Sequence, residues 1–208
     1  MNFIKEQFLL SFNFLRKRLI KPIIVVILIF LAISAVVYAV MLSVPELSKD
    51  LFNAISEMMS SSGVIDGNGN ISPLLLFLNN ARAGLLGAAF GFIPFIFFPV
   101  FAIFINGAIM GVSLGTYAVI DKANPLLILA AGVLPHGIFE LTAIFLCWAM
   151  GIGICLVLTK KIIGAGKESL SFYLKRCLGV YLFFAIPLLL IAAIIETYVT
   201  PVLLFTVL

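Results

Sequence analysis

Apolar residues fill this chain in long blocks, and polar residues punctuate them at a few places. Pro22–Val44 carries no charge and is long enough for one membrane crossing, which takes roughly 20 residues. Pro22 stands where a helix can open without losing a needed donor, so span one covers 23–44. Ahead of it, residues 1–22 place Phe8, Phe12 and Leu15 at helical spacing, followed by Arg16, Lys17, Arg18 and Lys21. That pattern predicts a membrane-surface amphipathic helix leading into a basic cytoplasmic anchor. The apolar run after the charges is too long for a cleaved signal peptide, and no small-x-small cleavage site follows it.

Residues 45–72 carry Glu46, Lys49, Asp50, Glu57 and Asp66, then the Gly- and Asn-rich tip 66–70. Leu47, Leu51, Ile55 and Met58 recur at helical spacing, which predicts a short amphipathic helix before a loop. From Pro73 to Ile120 the lone charge is Arg82. Pro94 and Pro99 flank a phenylalanine-rich corner that divides the stretch into span two, 74–96, and span three, 98–120. Asn80, Gly84, Gly87 and Gly91 share one face of span two, and Gly107, Gly111 and Gly115 share one face of span three. Small residues four apart let helix backbones approach closely in lipid. These faces are expected to pack inside the bundle, with another protomer as an alternative partner for the second.

After the turn 121–125, the apolar run Leu126–Leu158 would measure about 50 Å as one helix, against a hydrocarbon core of roughly 30 Å. A break is expected at Pro135, leaving 126–134 as a short half-helix and 135–158 as span four. The basic loop Lys160–Arg176 follows, then span five, 178–195. Glu196 marks the end of that span, and the tail 197–208 is too short to cross.

Composition agrees with this pattern. Of 208 residues, 63% are hydrophobic and 11% charged, whereas soluble domains carry about 25% charged residues. The expected fold class is all-α: a polytopic transmembrane helical bundle of five spans with a short half-helix before span four. The net charge of +4 is clustered and reads as a topology signal, not a nucleic-acid footprint. A cytoplasmic N-terminus places both basic clusters inside, the acidic 45–72 loop outside, and the C-terminus outside, in a multi-pass cell-membrane protein. Cys147, Cys155 and Cys177 lack CxxC spacing and read as buried small hydrophobes.

Candidate chemistry concentrates in Leu134–Leu141, which holds the sole histidine, His136, and Glu140 four residues on, on the same helical face. An ionisable pair inside an apolar run is costly. One reading is a structural ion pair between Glu140 and Arg82, with His136 bonded to either. A second is a proton or solute pathway, a transporter or channel using Arg82, His136 and Glu140, with Asn79, Asn80 and Asn106 at similar depth. A third treats Gly111-Val112-Ser113-Leu114-Gly115 as a G-x-S-x-G nucleophile motif with His136 as base, although that motif belongs on a strand-to-helix elbow. A metal site is not expected, because one His and one Glu fall short of the three or four ligands zinc takes, and H-x-x-x-E is not H-E-x-x-H. No cofactor loop is present in the sequence.

The Asn79-Asn80 and glycine pattern of span two, Asn106-Gly107 with Gly111 in span three, and above all His136-Gly137-Ile138-Phe139-Glu140-Leu141 resemble the stage II sporulation protein M family. The resemblance covers about 23–195. It implies a polytopic helical protein without enzymatic activity of its own. It further implies a scaffold that holds two cell-wall hydrolases at the membrane, a lytic transglycosylase and an amidase/endopeptidase, during engulfment in spore formers. The lipid bilayer is the other implied partner. His136 and Glu140 are motif positions in that resemblance, without an assigned role.

Overall fold

The fold is taken from a computed structural model, which describes residues 3–61, 72–120 and 124–206. The 66–70 tip therefore lies outside the described residues, as does the 121–123 part of the turn. The described chain is helical, with no strand among those residues: α1 (Phe3–Phe14), α2 (Ile20–Ser43), α3 (Pro45–Ser61), α4 (Pro73–Ala89), α5 (Phe98–Val119), α6 (Pro125–Ile128), α7 (Leu134–Ile162), α8 (Leu170–Val180), α9 (Ile186–Tyr198) and α10 (Thr200–Phe205). Among the described residues, five helical runs are long and apolar enough to cross a membrane: Phe3–Ser43, Pro73–Phe92, Phe98–Val119, Pro125–Ile162 and Leu170–Phe205. The protein is thus an all-helical, multi-pass membrane protein.

Three of these runs are longer than their α-helices because π-helical turns join consecutive pieces: Leu15–Leu19, Leu129–Val133 and Tyr181–Ala185. Each precedes a proline, namely Pro22, Pro135 and Pro187. A proline ring clashes with the carbonyl four residues before it and offers no N–H in return. Here those carbonyls belong to Arg18, Ala131 and Phe183, all inside the π turns. The wider turn relieves the clash, so the run continues instead of ending. The short helical piece before Pro135 exists as α6, but it is coupled to α7 through the π turn. In the same way the N-terminal amphipathic segment runs on into span one. The Phe3–Ser43 run of 41 residues is about 60 Å long, and α1 packs on α8 through Phe14 against Tyr173 and on the π turn after it through Phe8 against Phe184.

Helix α7 is the centre of the bundle. Every residue from Ala143 to Gly151 is buried, as expected for a helix that is apolar all round. The glycine face of α4 meets it. A Cβ on Gly84 or Gly87 would press on Cys147 or Trp148, and one on Gly91 would collide with the Gly151 backbone carbonyl. The glycine face of α5 meets α2 instead. Gly107 lies on Phe30 and Ile33, Gly111 on Ser34 and Val37, and Gly115 on Met41. Both stripes are therefore satisfied within one chain.

The two ends of the bundle differ in chemistry. At one end, Arg18 pairs with Glu168 at 3.4 Å across a cavity of about 460 Å³ also lined by Lys160, Lys167 and Tyr173. The phenylalanine corner sits at that end. Phe95 and Phe97 adopt left-handed φ values of 69° and 46°, a region non-glycine residues rarely occupy. The corner is tied to the C-terminal part of α7: Phe95 N–H donates to Thr159 Oγ1 at 3.1 Å and Cys155 Sγ to the Ile93 carbonyl at 3.4 Å. At the other end, α3 folds back onto α5. Ser48 and Thr116 share a buried hydroxyl–hydroxyl bond of 2.9 Å, and Phe52 meets Tyr117 edge to face. The apolar stripe expected on α3 faces elsewhere in part. Leu47 is exposed, while Leu51 and Ile55 border an open apolar groove with α2 and α5.

Candidate functional site

Near the N-terminal end of α7, far from Lys160 and Lys161, the bundle gathers its polar side chains. Pro135 in the first turn of α7 starts the helix, and His136 and Glu140 follow one turn apart on one face. The third member comes from α9, which packs along α7. Glu196, near the end of α9, points its carboxylate at the imidazole, with 3.8 Å between Oε2 and Nε2. The other ring nitrogen, Nδ1, is 3.0 Å from Thr200 Oγ1. Thr200 is held there because α10 turns back onto the π turn before α7, where Leu204 lies over Gly132. One ligating atom each of His136, Glu140 and Glu196 lies within 4.8 Å of the others. Glu196 Oε2 and Thr197 Oγ1 are buried with no hydrogen-bond partner.

Glu140 also opens onto a cleft of about 140 Å³ bordered by Asn80, Gly87, Asn106, Ile144 and Trp148. Asn80 is buried and its amide nitrogen has no partner. Asn106 is exposed, its amide donating to the Ala102 carbonyl at 2.9 Å. Of the polar residues singled out in the sequence, Asn80, Asn106, His136 and Glu140 are therefore joined through one cleft and one cluster. Asn79 and Arg82 are not; both lie on the exposed surface of α4.

The expected Arg82–Glu140 ion pair is not formed. Among the described residues the ion pairs are Arg18–Glu168 and His136–Glu196. Similar depth suggests the pair, but depth fixes height along a helix and not direction around it. Asn80 faces inward, and a residue two positions on is rotated by about 200°, which turns Arg82 outward. The transporter reading loses its cation in the same way.

The nucleophile reading also loses its geometry. Ser113 lies in the middle of α5, where Gly111 and Gly115 are contacts to α2, and His136 is engaged with Thr200 and Glu196. Sequence reasoning puts Glu196 at the same end of the bundle as His136 but misses its contact with the imidazole, and it misses Thr200. The one available signal was a carboxylate closing an apolar run at the depth of His136.

Taken together, the fold defines a polytopic helical membrane protein whose polar groups meet at one end of the bundle, between α4, α7 and α9. The family model described as Stage II sporulation protein M matches residues 23–201. The chain belongs to the stage II sporulation protein M family. It is also 35% identical over 101 residues to an uncharacterised protein of Methanocaldococcus jannaschii, an alignment covering 46% of this chain and 53% of the relative. The match thus spans about half the length of that relative. No solved structure matches the chain.

Proposed function

We propose that this protein is a non-enzymatic membrane scaffold that positions extracytoplasmic peptidoglycan hydrolases, a lytic transglycosylase and an amidase/endopeptidase, with a role in engulfment where the cell sporulates. Membership of the stage II sporulation protein M family carries this reading. The placement of α3 supports it. This helix is pinned to α5 by Ser48 and Thr116, yet Glu46, Lys49, Asp50, Asn53 and Glu57 are exposed. A rigidly anchored polar face at a membrane boundary suits docking of a water-soluble domain. Basic residues gather at the opposite end, which by the positive-inside rule supports an orientation with α3, the His136 cluster and α10 outside the cytoplasm and α1 inside.

The test is site-directed photo-crosslinking in native membranes, with the crosslinker at Asn53 and, as control, at Lys167 at the basic end. Adducts to a wall hydrolase from position 53 alone are expected. No hydrolase from position 53, or equal recovery from position 167, overturns the reading. Deleting 63–70 with insertion preserved should weaken the same recovery.

A further inference from the structure

Two carboxylates and one imidazole, each partly buried, meet near one end of a membrane bundle, and no lysine or arginine among the described residues pairs with any of them. Buried charge in an apolar medium is paired or coordinates a metal. The sequence-level objection to a metal was that His136 and Glu140 make only two ligands. Glu196 supplies the third.

We propose that His136, Glu140 and Glu196 bind one divalent first-row transition-metal cation. Three observations carry this. First, the ligating atoms of the three residues converge within 4.8 Å of one another. Metal–ligand bonds of 2.0–2.2 Å bring tetrahedral donors to about 3.4 Å apart, so side-chain adjustments of about 1 Å complete the site. Second, the imidazole is held in the way metal-bound histidines are held. Nδ1 is fixed by the Thr200 hydroxyl at 3.0 Å, which leaves Nε2 toward the carboxylates. Third, a ligating atom there stands unsatisfied: Glu196 Oε2 is buried and accepts no hydrogen bond. Three protein ligands leave a fourth position for water, and Glu140 borders a cleft of about 140 Å³ next to the cluster.

The donor set selects the class of ion. Imidazole favours zinc, iron and their neighbours over magnesium and calcium, which take six or more oxygen ligands. Two carboxylates neutralise one divalent ion, so the loaded site carries no net charge into the membrane. The α7 and α9 ends would then be clamped by one bond network that includes α10. This inference does not depend on the scaffold reading and is tested separately from it.

The experiment uses the full-length protein, purified in detergent with its affinity tag removed. Metal content is measured by mass spectrometry after dialysis against zinc, and cobalt is used as the spectroscopic probe. About one zinc per chain and a visible cobalt band displaced by zinc are expected. Glu196→Gln and Glu140→Gln should each weaken binding at least a hundredfold, and Thr200→Val about tenfold through loss of the imidazole's support. Arg82→Gln, outside the cluster, should bind as wild type does. Less than a tenth of an equivalent of zinc with no cobalt band in the wild-type protein overturns the proposal, as does undiminished binding in Glu196→Gln. Should a glutamine variant not fold, the wild-type stoichiometry and the Thr200→Val affinity decide the matter.

Discussion

The contact between α2 and α5 gives the most direct prediction. Gly111 lies so close to α2 that an added Cβ would stand 2.6 Å from the Ser34 carbonyl oxygen and 2.7 Å from Val37 Cβ. Ordinary contact between such atoms is about 3.5 Å or a little more. The Ser34 atom is backbone, so it cannot swing away, and Gly111→Ala must push the helices apart by most of an ångström. A gap of 0.5–1 Å forfeits about a quarter to a half of each dispersion contact, and the loss extends over the Gly107 and Gly115 crossings as well. Strain plus lost packing comes to about 3 kcal/mol, offset by about 1 kcal/mol from the better helix propensity of alanine. The expected net loss is about 2 kcal/mol, roughly a thirtyfold fall in the folded-to-unfolded ratio. Gly111→Leu should do more. Reversible unfolding in mixed micelles, read by the fluorescence of Trp148, measures this. The control is Ile105→Ala on the exposed face of the same helix, expected to change little. A Gly111→Ala protein as stable as wild type would refute the close-approach argument.

Three further outcomes follow from single contacts. Thr116→Val removes the buried bond to Ser48 and should cost about 1–2 kcal/mol, read as faster amide exchange in α3; unchanged exchange would mean that α3 is held otherwise. Tyr181→Phe deletes the 2.8 Å bond from its hydroxyl to the Ala81 carbonyl and should lower stability by about 1 kcal/mol in the same unfolding assay, and a gain in stability would contradict it. Arg82→Leu should stay within about 0.5 kcal/mol, as substitutions away from buried features do. A loss of about 3–5 kcal/mol would instead indicate that Arg82 has a buried charge partner.

Much of this architecture was legible in the sequence because it repeats at helical period. The apolar blocks identify the spans, and the helical spacing of the glycines in α4 and α5 identifies faces that do pack closely. What the period cannot give is the neighbour. Nothing local states that the Gly107 stripe meets α2 while the Gly84 stripe meets α7. The π turns escaped for a related reason: their carbonyl acceptors are shifted by one residue, a change with no compositional signature, and proline alone reads as a break. The polar cluster was half legible. His136 and Glu140 lie one turn apart and are paired by arithmetic, whereas Glu196 reaches them only through the packing of α9 on α7. Arg82 shows the opposite failure, since orientation around a helix is not readable from depth and Arg82 lies on the exposed surface of α4.

The π turns also bear on how such a helix changes length. A π turn is an α-helix holding one surplus residue, and the surplus is absorbed within a single turn. Removing one residue from 129–133 would let that turn relax to ordinary α geometry while every contact of α7 beyond it kept its phase. The same deletion near Ala149 would swing the remainder of α7 by about 100° and take Gly151 and Gly153 off their partners. The three prolines thus mark the places where this chain can lose a residue with a local proline kink as the cost, while the packing beyond each turn keeps its phase.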